Sequence, residues 1–73
     1  MKTVAVAEGS IIIIVNTEQD RIGVADCGSI RHELWPAKHG PEKSRKTFMV
    51  PWGVTEITLG PGVELGDSVL VHD

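Results

Sequence analysis

Three side chains of the kind that ligate soft metal ions fall within one short span: Cys27, His32 and His39. Structural zinc sites use four ligands, usually in paired spacings such as C-x2-C. This chain has a single cysteine. A site built on Cys27 and His32 would need His39 and then His72 or Glu33, so the spacing predicts no metal and no other cofactor. The same thiol could act as a nucleophile, with His32 as base and Asp26 or Glu33 as orienter, if it preceded a short helix that lowered its pKa. A domain this small has little room for a cleft that excludes water, and a free cysteine commonly packs as a small hydrophobe. The expectation is a structural thiol and no catalytic residue.

Paired carboxylates offer no better site. The acids are scattered at turns and strand exteriors, and Asp67 after Gly66 shapes a turn. No pair has surroundings that would raise one pKa and leave the other low. Gly60-Pro61-Gly62 lacks the lysine and following helix of a phosphate loop and reads as a turn.

Charge and aromatic placement point to binding. The formal charge is −3, unevenly spread. Residues 36–46 carry Lys38, Lys43, Arg45 and Lys46 against Glu42, a local +3, leaving −6 for the remainder. A molecule polarised in this way can orient on a charged partner. Trp35-Pro36 and Pro51-Trp52 set both tryptophans beside prolines on either flank of the basic run. Tryptophan and arginine are frequent anchors of protein interfaces, and rigid neighbours reduce the ordering cost. Trp35, Lys38, Lys43, Arg45, Lys46 and Trp52 are therefore the candidate partner-binding residues. A competing reading is that both tryptophans cap an undersized core. Binding of nucleic acid through the basic run is a further alternative, weakened by the acidic remainder and by having only Trp35, Phe48 and Trp52 as stacking platforms.

These residues must be positioned by strands. Ile11-Ile12-Ile13-Ile14-Val15 is five β-branched residues in a row, suited to a pleated strand. Both of its faces are apolar, so it should be a central strand covered on both sides, or else leave a sticky face that a partner or a second copy covers. Residues 2–7 alternate and should pair with it as an antiparallel hairpin across Glu8-Gly9-Ser10. Arg21–Ala25 is a third strand, in which Gly23 marks a bulge or a close backbone approach. Residues 29–35 carry either a short helix capped by Ser29 or Asp26 and ended by Pro36, or an alternating strand. Residues 36–46, with two prolines and a glycine, read as a mobile basic loop. Strands resume at 47–50 and at 54–59, where Ile57 and Leu59 should face in and Glu56 and Thr58 out; residues 63–66 lead into Asp67, and residues 68–72 close the sheet.

The whole is expected to be a single domain, residues 1–73. It should be mainly β, a small antiparallel barrel or sandwich of five to six short strands, with one short helix or helical turn near residues 29–35. No apolar run approaches the roughly 20 residues of a membrane span. The start of the chain lacks a signal-peptide core, and one cysteine fits the reducing cytoplasm. A compact, acidic, single-cysteine chain of this length resembles the small regulators with which bacteriophages occupy host machinery such as RNA polymerase. The resemblance rests on size and charge and carries no motif. It implies a non-enzymatic protein-binding regulator or inhibitor that docks on a larger protein complex. A structural subunit that self-associates through the isoleucine strand is the remaining alternative.

Overall fold

The computed structural model describes residues 1–66. The expected closing strand over residues 68–72, together with Asp67 and His72, lies outside the described residues. Within them the chain forms seven strands: β1 (Lys2–Ala5), β2 (Ile11–Asn16), β3 (Gly23–Cys27), β4 (Ile30–Leu34), β5 (Arg45–Met49), β6 (Glu56–Leu59) and β7 (Val63–Leu65). A 3-10 turn (Ala37–His39) and a single helical turn, α1 (Pro41–Ser44), lie between β4 and β5. Two antiparallel sheets, in the orders β1-β6-β3-β4 and β5-β2-β7, pack face to face and do not close into a barrel.

The isoleucine strand is central, as its composition requires, with β5 on one side and β7 on the other. Its inward positions, Ile12 and Ile14, meet Ala25, Cys27, Leu34, Ile57 and Leu59 of the opposite sheet, with Val63 beside them. The outward positions are less covered: Ile11 remains 49% exposed. Alternation along β6 is as the sequence reads it, with Ile57 and Leu59 buried and Glu56 exposed.

Three expectations are corrected. The first two strands do not pair. β1 runs beside β6, from Lys2 opposite Leu59 to Ala5 opposite Glu56, and Val6 N–H extends the ladder to the Thr55 carbonyl. Both flanks of β2 are already occupied, so the Ala7–Ser10 turn carries the chain from one sheet to the other. The turn ends in a bulge. Gly9 N–H donates to Val50 O (2.8 Å), Val50 N–H donates to Ser10 O (2.7 Å), and Gly9 takes the positive φ of 76° that such a bulge requires.

Second, residues 29–35 contain no helix. Cys27 opposes Ile30 across Gly28-Ser29, a two-residue hairpin whose Gly28 has a φ of 65°. The strand β3 therefore runs two residues beyond its expected end, through Asp26 and Cys27. The helical turns lie instead inside residues 36–46. Pro41 begins α1, where its missing N–H costs nothing, and Ser44 donates through both its amide and its Oγ to the Gly40 carbonyl. Third, seven strands lie within the described residues where five to six were expected, because residues 30–34 form β4 and Val63–Leu65 pairs with β2.

Asn16 joins the sheets at the end of β2. It is 1% exposed. Its Nδ2 donates to the carbonyls of Arg21 (2.8 Å) and Trp35 (3.1 Å), and its Oδ1 accepts from Glu18 N–H (3.0 Å). The space for this amide comes from Gly23, where a Cβ would lie 2.6 Å from Val63 Cγ2 and 2.9 Å from Asn16 Cγ. Gly23 thus marks a close approach, made by the side chains of Val63 and Asn16 rather than by another stretch of backbone. Asn16→Ala removes both donors and leaves two carbonyls unpaired in a half-buried site. It should lower the unfolding free energy in urea by about 2–4 kcal/mol. A loss within about 0.5 kcal/mol, the range of a neutral surface change, would contradict this role.

Candidate functional site: an aromatic anchor at one end of the sandwich

The Asn16 amide determines where Trp35 sits. Gly23 and Leu34 are the last registered pair of the β3–β4 hairpin, so Ile22 and Trp35 are the next residues on each strand. With the Arg21 and Trp35 carbonyls on one amide, both side chains sit at the same end of the sheet, and each is about half exposed, 51% and 52%. Trp35 N–H donates to the Lys43 carbonyl (3.1 Å), so its backbone is held on both sides. The basic segment folds around the indole. Lys43 Nζ lies 5.6 Å from the ring centroid, and the His39 ring meets it edge-on at 5.2 Å. Ala37 N–H donates to the Glu18 carbonyl (2.7 Å), which ties the 3-10 turn to the strand end that Asn16 terminates.

The other proposed binding residues do not join this cluster. Lys38 is engaged by Asp20, with Nζ 3.1 Å from Oδ1. Arg45 opposes Val15 on the outward face of its sheet, and Lys46 opposes Ile14 on the inward face. Adjacent residues of a strand point to opposite sides, so the tight basic run of the sequence is divided among three directions. Trp52 is at the far end of β2, 76% exposed, with its ring against Gly9 where a Cβ would lie 2.6 Å from it. Gly53 N–H donates to Glu8 Oε1 (2.6 Å), which locks that turn to the Glu8–Ser10 turn. Ile22, by contrast, belongs to the Trp35 end although sequence reasoning placed it only within a strand. Nothing local marks it; its exposure follows from where Asn16 ends the ladder.

The residues considered for metal or nucleophile chemistry are separated as well. Cys27 is part of the buried core, and burial pushes its thiol up from the ordinary value, the reverse of what an activated nucleophile needs. His39 is engaged with Trp35. His32 faces inward from β4 and stacks on Phe48 of β5, with ring centroids 4.1 Å apart and planes 11° from parallel. Among the described residues, no three His, Cys, Asp or Glu side chains gather where they could hold a metal ion. No helix among them is long and apolar enough to cross a membrane.

In comparisons with known protein families, characterised proteins and solved structures, nothing matches the chain.

His32 is the titratable group with a resolved downward shift. Burial lowers it first, and the Lys46 ammonium lowers it further, from an ordinary 6.5. The native chain therefore takes up this proton less readily than the unfolded chain. The stabilising contribution is complete above the unfolded value and is lost as pH falls through the native one. The urea midpoint should drop as pH falls below the ordinary 6.5, and the drop should shrink in His32→Phe, which keeps the ring stack without the titration. An identical drop in both proteins would exclude His32 as its source.

Proposed function

We propose that this chain is a non-enzymatic protein-binding module that docks on a larger partner through Trp35, with Ile22, His39 and Lys43 around it. The observation that carries the proposal is a half-exposed indole whose backbone amide and carbonyl are both hydrogen-bonded, with a lysine ammonium over the ring. An aromatic side chain on a fixed backbone has little freedom to lose on binding, and large aromatic anchors supply a disproportionate share of interface energy. Lys43 at the rim favours a partner surface with an acidic border. Among the described residues the thiol is buried in the core and no three potential metal ligands gather, which supports a binding role. A regulator working in a reducing, cytoplasmic setting fits these features. The resemblance in size and charge to small phage regulators makes a host RNA polymerase the first partner to try.

Nucleic-acid binding is the second reading, supported by the lysine–indole pair. Against it stands the division of the basic run: Lys38 is paired with Asp20, while Arg45 and Lys46 face opposite ways, so among the described residues no row of cations tracks a phosphate backbone.

The test is co-purification of the full chain with a stoichiometric partner at high salt, followed by affinity measurement on variants. Trp35→Ala should weaken binding by about thirtyfold or more, the loss of about 2 kcal/mol that marks an interface anchor. Trp52→Ala, at the opposite end, should leave it within a few fold. A partner retained equally by Trp35→Ala would refute the assignment. So would tight binding of an oligonucleotide whose affinity falls steeply with salt.

A further inference from the structure

The strand β5 is an edge of its sheet. Val50 exchanges hydrogen bonds with Gly9 and Ser10 towards β2, and bonding direction alternates along an antiparallel ladder. Phe48 and Lys46, opposite Ile12 and Ile14, therefore also bond towards β2. The N–H and C=O groups of Arg45, Thr47 and Met49 point away from it. Among the described residues nothing pairs with these outward groups, and all three residues are exposed. The edge contains no proline and no internal bulge. The other long edge, β4, presents the charged pair Arg31 and Glu33, whose side chains lie 3.7 Å apart, at its outward positions. Charges of this kind discourage strand addition; β5 carries Arg45 and Lys46 as well, so a strand added there must set uncharged residues opposite them.

We propose that a second copy of this chain pairs antiparallel with β5 along this edge, about a two-fold axis at Thr47. The two three-stranded sheets would become one continuous sheet. The strand Arg45-Lys46-Thr47-Phe48-Met49 is self-complementary in this register. Thr47 meets Thr47 of the second copy as a hydrogen-bonded pair, the arrangement in which threonines also support each other's hydroxyls. Arg45 meets Met49 of the second copy, so its aliphatic stem lies along a methionine that is 54% exposed in the single chain. Lys46 meets Phe48 of the second copy, a cation beside an aromatic ring. No two like charges oppose each other, and each outward N–H finds a carbonyl. Neighbouring registers lack this property. Centred on Lys46, the pairing sets two lysines face to face. Centred on Phe48, it sets Arg45 opposite Pro51, which has no N–H to donate. A two-fold interface must be self-complementary in this way. The proposal stands independently of the Trp35 surface.

Sedimentation equilibrium of the full chain, from low micromolar to near-millimolar concentration, should give the mass of two chains at the upper end. Thr47→Lys sets like charges on the two-fold axis and should raise the dissociation constant about tenfold or more. At low micromolar concentration, where the chain is a single copy, its far-UV circular dichroism and urea midpoint should stay unchanged, because the position is exposed and its N–H faces outward. Thr47→Cys should form a two-chain disulfide on mild oxidation, since hydrogen-bonded antiparallel partners have Cα atoms about 5.5 Å apart, within reach of the bond. Glu56→Cys, on the outer face of the other sheet, should not. A chain that stays monomeric throughout would overturn the proposal. A dimer insensitive to Thr47→Lys, or a Thr47→Cys variant that fails to cross-link, would also overturn it.

Discussion

One buried amide holds the two sheets of this sandwich in relation to each other. Asn16 ends the isoleucine strand with a polar side chain in a position where the preceding inward residues are Ile12 and Ile14. Burying a primary amide is unfavourable unless its groups are satisfied. Here both donor contacts and the acceptor are filled: two carbonyls of the opposite sheet's hairpin, and the amide of Glu18 in the same chain segment. An isoleucine at this position could pack against Val63 but could not specify where Arg21 and Trp35 lie. Hydrophobic burial supplies most of the cohesion and little of the orientation. The amide fixes the orientation, and Gly23 provides the clearance without which the sheets could not approach.

Function follows from that constraint. The binding surface at Trp35 is the outer consequence of an inner hydrogen bond, because the carbonyl that Asn16 grips belongs to the tryptophan itself. The basic segment then folds back on the indole through Lys43 and His39, and two helical turns occupy what would otherwise be an irregular connection. At the opposite end of β2, Trp52 is positioned by a bulge and a glycine face, with no cation at its ring among the described residues. The two tryptophans look equivalent in the sequence, each beside a proline, yet they belong to different ends and different environments. The edge of β5 is a third surface, defined by backbone groups that have no partner among the described residues and independent of either indole.

Much of this architecture can be read from residue types alone. The β-branched run, the Gly60-Pro61-Gly62 turn, the inward face of residues 57 and 59 and the close approach at Gly23 each depend on local chemistry. What is not legible depends on partners distant in the chain. A period of two says that residues 2–7 form a strand but is silent on whether β2 or β6 receives it. Residues 29–35 fit both helical and alternating patterns, and pairing with β3 decides between them. The basic run was visible as composition, but its division among Asp20, Trp35 and the two faces of β5 arises only once a strand begins at Arg45. Ile22 and Asn16 carried no local signal of their roles, because each acts through contacts made across the fold.

The central claim, that the Asn16 amide and the core open only together, is tested most directly by native-state hydrogen exchange. The reporter is the Glu18 amide, which is bound to Asn16 Oδ1 and to nothing in a strand ladder. Opening this bond should require the same free energy as exchange of core amides such as Ala25 and Leu59, with the same denaturant dependence, which places it in the global unfolding unit. Exchange of Glu18 orders of magnitude faster than the core, by an opening insensitive to denaturant, would show that the sheets hold their arrangement without Asn16 and would contradict the account.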